Sequence, residues 1–280
     1  MGLVTGDAVT LETDLEAVPH DFPGLEMVLA IVAGGGDKRP LAWGSGVFVA
    51  PGVALTATHV IQDYWRELDE EGGWRDSKAA TFPIQAIQYI PRLDRFVTWH
   101  VFLATHRDSS DVAVLQLTPE ESQYPDGYDW RYPTLDLRPV SAGTRVQAFG
   151  FPTAEVVYDS DSKGWSLQHA AGGSVGEITN VFPDGRDKVK LPFPCFEMNI
   201  ETRGGMSGGP VVNIEGNLCG IVTSGWSFQE PRPHVSYASM LGPAMTLPIA
   251  GTGNLGAEGE HLTLHELARR GRIFTTGLDR

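Results

Sequence analysis

The sequence is poor in cysteine: its 280 residues contain only Cys195 and Cys219. A fold held together by several disulfides, as in small secreted proteins, is therefore excluded. We expect both thiols to be reduced and buried, although their positions leave one disulfide open. Neither cysteine belongs to a CxxC pair or has an ordered histidine partner in the sequence, so we expect no metal site, and nothing implies another cofactor.

Positive charge and long apolar runs are also scarce. Lys and Arg number 21 against 35 Asp and Glu, which gives a formal net charge of −14. Because nucleic acids attract basic surfaces, we expect no nucleic-acid partner, and the acidic balance favours basic peptide segments. No segment has the length of a membrane-spanning apolar helix, and the first residues lack the basic start and apolar stretch of a secretory signal. We therefore expect a cytoplasmic protein that does not bind membranes.

Glycine and proline are abundant, with 33 and 19 residues. They lie among short apolar segments, a pattern typical of many strands joined by tight turns. The sequence thus predicts an all-β fold. Residues 263–270 are an exception, because we predict a short helix there with Thr263 as its cap.

The glycine-rich run ETRGGMSGGP at residues 201–210 surrounds one serine with the features of a nucleophile. Glycine at position 205 allows backbone angles that other residues resist, so the N–H groups of Gly205 and Ser207 can converge. Attack on a carbonyl needs such donors about 2.7–3.1 Å from the developing oxyanion. The run predicts Ser207 as a nucleophile, with Gly205 and Ser207 forming an oxyanion hole; a plain surface turn is the alternative.

A serine hydroxyl needs a base, and the base needs an orienting group. Residues 47–60 predict a β-hairpin around a Pro-Gly turn at 51–52, and its second strand delivers His59 at its end. Asp111 directly precedes the apolar segment 112–117, where a carboxylate can hold an imidazole in one tautomer. Asp108 is the alternative acid, but it lies three residues farther from this predicted strand.

Four short segments follow one another along the chain: TATH at 56–59, DVAVL at 111–115, GMSGGPVV at 205–212 and GIVTSG at 220–225. Together they resemble the chymotrypsin-like (trypsin-fold) serine peptidases. The segment GSGVFV at 44–49 and the scarcity of cysteine are similar to the bacterial HtrA-like peptidase domains. We expect no PDZ domain, for which these residues leave no room.

The resemblance implies two six-stranded antiparallel β-barrels with the active site in the cleft between them, and a short C-terminal helix. It implies a serine endopeptidase that cleaves polypeptide substrates, with Ser207 as nucleophile, His59 as base and Asp111 as orienting acid. The expected regions are an N-terminal arm (1–24), a first barrel (25–120), a second barrel (121–250) and a C-terminal tail with the helix (251–280).

The same resemblance locates a primary specificity pocket. Glu201 lies six residues before Ser207, where trypsin-like relatives place the residue at the base of this pocket, so we expect a preference for Lys or Arg before the scissile bond. Arg203 is close enough in sequence to neutralise Glu201, and a small or aliphatic preference is then the alternative. The expected substrate-binding residues are Glu201, Thr202, Thr223, Ser224 and Gly225.

Met206 departs from the pattern of zymogen-type relatives, which carry an aspartate at this position that pairs with a newly cut amino terminus. A thioether cannot hold an ammonium ion, so we expect no activation by propeptide cleavage. We expect control to act through the loop at Gly204 and Gly205, biased by a regulatory protein partner.

Two other functions stay open. The pattern GxSxG at 205–209 also matches the nucleophile elbow of α/β-hydrolases, which would make the protein an esterase. That elbow requires a helix after the serine, whereas Pro210 and the β-branched pair Val211 and Val212 follow here. The second alternative is a catalytically weak or inactive peptidase fold that acts as a peptide-binding module.

Overall fold

The computed structural model describes residues 15–33, 41–62, 84–152, 154–159, 164–168, 170–226, 234–253 and 255–278. The first 14 residues of the expected N-terminal arm therefore lie outside the described residues. Strands dominate the described part of the chain, and its helical segments are short.

The first barrel closes around six antiparallel strands, in the order β2-β3-β4-β7-β6-β5. Strand β4 is buried along its whole length, and residues 58–62 directly after it are helical. Gly52 closes the predicted Pro-Gly turn between β3 and β4 with a φ of 67°. The strands of this half are β1 (Glu16–Ala17), which precedes the barrel, and β2 (Val28–Ala33), β3 (Leu41–Ala50), β4 (Val53–Ala57), β5 (Ile84–Ile90), β6 (Arg95–Thr105) and β7 (Val112–Pro119).

The second half contains β8 (Leu135–Asp136), β9 (Arg145–Gly150), β10 (Glu155–Asp159), β11 (Gly164–Gln168), β12 (Gly172–Phe182), β13 (Cys195–Met198), β14 (Pro210–Asn213), β15 (Leu218–Trp226) and β16 (Val235–Met240). Six of these strands pair in the antiparallel ring β9-β12-β13-β16-β15-β14, and β14 pairs back with β9. Strands β10 and β11 form a separate hairpin, while β1 pairs with β12. Two closed six-stranded antiparallel barrels confirm the predicted chymotrypsin-like fold.

The C-terminal part contains β17 (Pro248–Ala250), β18 (His261–Thr263), a helix (Leu264–Arg269) and β19 (Thr275–Thr276). Thr263 caps the helix as predicted, because its Oγ1 accepts a hydrogen bond from the Glu266 N–H at 3.2 Å. Leu264 and Leu267 are fully buried in the same apolar cluster as the first barrel. The C-terminal helix therefore packs on that barrel.

A separate apolar cluster joins the two barrels. Val28, Ala30 and Val32 of β2 pack with Phe149 and Phe151, at the end of β9 and just after it. Removing this apolar surface from water favours one relative position of the barrels. This cluster therefore helps to fix the two barrels against each other.

Candidate active site

His59 and Asp111 meet where two paired strands of the first barrel end. Strand β4 pairs antiparallel with β7, and this register aligns Ala57 with Val112. The next residues along the chain on each side bring His59 and Asp111 together. The Thr58 N–H donates to the Asp111 carbonyl oxygen at 3.0 Å, which closes the junction.

The Asp111 carboxylate holds His59 at two points. Oδ2 lies 2.8 Å from the His59 ring Nδ1, and Oδ1 accepts from the His59 backbone N–H at 3.0 Å. Only 7% of Asp111 is exposed, whereas a third of the His59 side chain is. Since a carboxylate only accepts, Nδ1 carries a proton, and in the neutral ring the lone pair is then on Nε2. This is the tautomer that a general base requires.

Asp108, the alternative acid, is exposed in the loop before Ser110. The structure brings Asp111 to His59 and leaves Asp108 outside this contact. Ser110 contributes locally, because its hydroxyl oxygen accepts from the Val112 N–H at 3.1 Å and fixes the entry into β7.

The turn that carries Ser207 depends on two glycines in the left-handed region. Gly205 has a φ of 92° and Gly208 a φ of 85°. A Cβ on Gly205 would collide with the Phe151 carbonyl oxygen, and one on Gly208 would collide with the Ser45 carbonyl oxygen and the Thr56 hydroxyl. Only glycine fits at both positions, because other residues would add both strain and a clash.

Hydrogen bonds order most peptides of this turn. The Met206 N–H donates to the Arg203 carbonyl oxygen at 3.0 Å, and the Met206 carbonyl oxygen accepts from the Gly209 N–H at 2.9 Å. Within the described part of the chain, the N–H groups of Gly205 and Ser207 have no hydrogen-bond acceptor. Both predicted oxyanion-hole donors are thus available to a ligand.

The serine turn is docked against the strand end that carries His59. The Ser45 N–H donates to the Ser207 carbonyl oxygen at 2.7 Å. A Cβ on Gly44 would lie 2.8 Å from both that carbonyl oxygen and the Val60 side chain, next to His59. The half-buried Ser207 hydroxyl donates a long hydrogen bond of 3.5 Å to the Thr223 carbonyl oxygen. The backbone of Ser207 therefore packs next to the segment that carries His59.

The predicted specificity residues lie together beneath the serine turn. Glu201, Thr202 and Thr223 are buried, Ser224 is half-buried, and Gly225 belongs to β15. The Glu201 Oε1 accepts from the Arg203 Nε–H at 2.7 Å. Its Oε2 has no hydrogen-bond partner among the described residues and lies 3.7 Å from the Nε2 of His234. Arg203 thus binds one carboxylate oxygen of Glu201, and the other oxygen faces His234.

Two buried serines of β16 were missed by the sequence reasoning. The Ser236 hydroxyl lies 2.8 Å from that of Thr202, and the Ser239 hydroxyl lies 2.7 Å from that of Thr223. Both serines are at most 1% exposed. The small hydroxyl residues of the segment VSYAS, at 235–239, were the available signal for a polar wall.

Ser45 was also missed as a site residue, although the segment that contains it carried part of the family resemblance. It is fully buried in β3 and contacts the serine turn through backbone and side chain. The pattern Gly-Ser-Gly at 44–46, within an otherwise apolar strand, could have indicated a close approach of another backbone.

The sequence also left open a disulfide between the two cysteines, and the structure describes both of these residues. Cys195 and Cys219 are buried and unpaired, and burial raises the pKa of both thiols, that of Cys219 to about 12. Within the described ranges, no group of three or more His, Cys, Asp or Glu side chains could hold a metal ion. No helix among the described residues is long and apolar enough to cross a membrane.

The chain is similar to a number of solved structures at low sequence identity. Similar structures include a serine-to-alanine mutant of Rv3671c from M. tuberculosis H37Rv in an inactive form (15% identity, TM-score 0.46, covering 79% of this chain and 83% of that chain). They also include the HtrA-type protease AlgW with a tripeptide (20% identity, TM-score 0.48, covering 78% of this chain). This chain spans 57% of the AlgW chain. No curated protein sequence matches the chain significantly.

The family model described as the trypsin-like peptidase domain matches residues 44–221. This match covers more than half of the chain and includes the segments around His59, Asp111 and Ser207. The chain belongs to the family of trypsin-like peptidase domains.

Proposed function

We propose that the protein is a serine endopeptidase that uses His59, Asp111 and Ser207 as its catalytic triad. The observation that carries this proposal is the double hold of Asp111 on His59, at 2.8 and 3.0 Å, opposite the docked serine turn. A buried carboxylate that fixes one imidazole tautomer is suited to orient a general base, and the adjoining serine turn supplies Ser207 as a nucleophile.

In this mechanism the Ser207 hydroxyl oxygen attacks the scissile carbonyl carbon while His59 Nε2 takes the hydroxyl proton. Asp111 stabilises the imidazolium that forms, and the N–H groups of Gly205 and Ser207 bind the oxyanion. The tetrahedral adduct then collapses, the C–N bond breaks, and His59 protonates the departing amine. Water, activated by His59, hydrolyses the acyl-enzyme and restores the serine.

The alternative function, that of an α/β-hydrolase esterase, does not fit the strand that follows Ser207. Residues 210–213 after the serine form strand β14, and the nucleophile elbow requires a helix there. Both barrels are antiparallel, and among the described residues only the two-residue strand β8 pairs in parallel with other strands. A peptide-binding module without catalysis stays as an outcome of the test below.

The test is cleavage of an unfolded protein and of a peptide library by the wild type and by Ser207→Ala, with products identified by mass spectrometry. We expect internal peptide bonds to be cut by the wild type only. Binding of peptides by both proteins without cleavage would support the binding module and overturn the peptidase.

For specificity, we propose a preference for Lys or Arg before the scissile bond, which the positive charge of Arg203 next to Glu201 weakens. Support comes from the buried Oε2 of Glu201, which has no hydrogen-bond partner within the described residues, and from the hydroxyls around it. A library with each residue type before the cut should show the basic preference weakened in Glu201→Gln and strengthened in Arg203→Gln. An unchanged preference in both variants would refute this assignment.

A further inference from the structure

Ser45 takes part in four hydrogen bonds, two of which connect the first barrel to the serine turn. Its N–H donates to the Ser207 carbonyl oxygen at 2.7 Å, and its carbonyl oxygen accepts from the Thr56 hydroxyl at 2.7 Å. Its own hydroxyl donates to the Gly205 carbonyl oxygen at 2.7 Å and accepts from the Phe151 N–H at 3.0 Å. This side chain is fully buried.

The hydroxyl acts on Gly205, and no hydrogen bond among the described residues sets the direction of the Gly205 N–H. The Ser207 N–H belongs to the peptide that the Gly209 N–H fixes through the Met206 carbonyl oxygen. The Gly205 N–H belongs to the peptide after Gly204, and no hydrogen bond within the described residues holds that carbonyl oxygen. Its direction therefore depends on how firmly Gly205 itself is held.

Gly205 is held from two sides. The Ser45 hydroxyl fixes its carbonyl group, and its Cα lies against the Phe151 carbonyl oxygen. With these atoms fixed, the direction of the Gly205 N–H depends only on the two backbone torsions of Gly205, whose φ is 92°. Without the hydroxyl, this peptide is held only through its other end, where the Met206 N–H donates to the Arg203 carbonyl oxygen. The Gly205 N–H on the other side of the Cα is then held less firmly.

A neighbouring glycine makes room for this contact. A Cβ on Gly150 would lie 2.9 Å from the Ser45 hydroxyl oxygen and 2.8 Å from the Met206 Cα. Any larger residue at this position would press on both the hydroxyl and the serine turn. The packing around Ser45 thus keeps its hydroxyl close to the serine turn.

We propose that Ser45 is a positioning residue that aims the Gly205 N–H into the oxyanion hole; this inference rests on the proposed peptidase function. Ser45 does not touch the reacting atoms, and it acts through Gly205. Loss of the Ser45 hydroxyl should weaken binding of the tetrahedral intermediate, while substrate binding in the specificity pocket stays intact. A misplaced donor of this kind lowers the rate by up to about 100-fold.

The test compares the wild type with Ser45→Ala, with rates expressed per Ser207 that a fluorophosphonate labels at completion. We expect kcat to fall by roughly 10- to 100-fold with KM changed by less than about threefold. The inhibition constant of a peptide boronate, whose tetrahedral adduct places an oxygen in the oxyanion hole, should rise by the same factor as kcat falls. The affinity for a product peptide should stay unchanged.

Three further variants separate positioning from structure. Ser45→Thr keeps the hydroxyl and should retain most of the wild-type kcat and boronate affinity. Ser45→Cys keeps the side-chain volume but donates a hydrogen bond only weakly, so it should behave like Ser45→Ala. If the alanine variant does not fold, the cysteine variant takes its place in the comparison. Ser174→Ala is the matched control, since Ser174 is also a buried serine, and its hydroxyl has no partner among the described residues. We expect it to leave kcat and boronate affinity unchanged.

The role of Ser45 and the proposed peptidase function would be overturned by different outcomes. A wild type that cleaves no peptide would overturn the peptidase function. An active wild type with unchanged kcat and boronate affinity in Ser45→Ala and Ser45→Cys would overturn the role of Ser45. A parallel loss of boronate, substrate and product-peptide affinity would show a structural effect and would also overturn it.

Discussion

In the first barrel, His59 and Asp111 lie just beyond the ends of two paired strands, and their contact follows from the register between β4 and β7. In the second barrel, Ser207 lies in a turn between β13 and β14 that depends on two glycines with positive φ. This turn is held partly by the other barrel, through Ser45 and Thr56. The proposed acid and base are thus placed by local strand pairing, and the proposed nucleophile is placed largely by contacts between the barrels.

Substitutions in these two regions should therefore have different effects. A change at the strand ends should alter the chemistry of the imidazole while the fold persists. A change in the glycine turn should disturb the packing between the barrels as well as activity. The predictions that follow separate these two consequences.

The largest effect is expected at the strand ends. Asp111→Asn should lower kcat/KM by about 10⁴-fold, because an amide N–H facing Nδ1 favours the wrong imidazole tautomer. Its thermal stability should change much less than its activity. Steady-state kinetics and calorimetry measure the two quantities, and Asp108→Asn is the matched control that should keep wild-type activity. Loss of activity in Asp108→Asn with an active Asp111→Asn would reverse the assignment of the acid.

An intermediate effect is expected in the glycine turn. Gly208→Ala should lower the free energy of unfolding by about 3 kcal/mol, the sum of backbone strain and a clash with the first barrel. Gly216→Ala is the control, since Gly216 also has a positive φ, of 77°, but no atom within 4 Å of an added Cβ. It should cost about 1 kcal/mol. Equal losses in denaturant titrations would show that the serine turn does not pack against the first barrel.

The smallest effect concerns the two thiols of the second barrel. Burial raises the pKa of Cys195 and brings that of Cys219 to about 12, so both stay protonated and unreactive near pH 8. Iodoacetamide should label them only after unfolding, with no change in peptidase activity before that point. Above about pH 8.5 the unfolded thiols lose protons that the folded ones keep, so they favour unfolding as pH rises. Rapid labelling of the folded protein would contradict this burial.

The sequence predicted the strand-rich fold because apolar segments alternate with Gly and Pro, which is a local signal. It also predicted the contact of His59 with Asp111, since each residue adjoins a strand whose pattern is visible in the sequence. The closed barrels came from the family resemblance, because strand pairing between distant segments leaves little trace in a single sequence.

The partners of the serine turn were harder to predict. Ser45 and Gly205 are 160 residues apart, and nothing in either segment specifies the other. The buried hydroxyls of Ser236 and Ser239 lie on a strand that the sequence analysis did not single out. Side-chain contacts between barrels depend on how the barrels pack, and that packing is a property of the whole chain.

The most direct test of the proposed triad is fluorophosphonate labelling followed by peptide mass mapping. We expect one label per wild-type molecule, on Ser207, and no label in Ser207→Ala. Labelling should be slowed by several orders of magnitude in His59→Ala, because the hydroxyl then lacks its base. A folded wild-type protein that stays unlabelled, or that carries the label on another residue, would contradict the account.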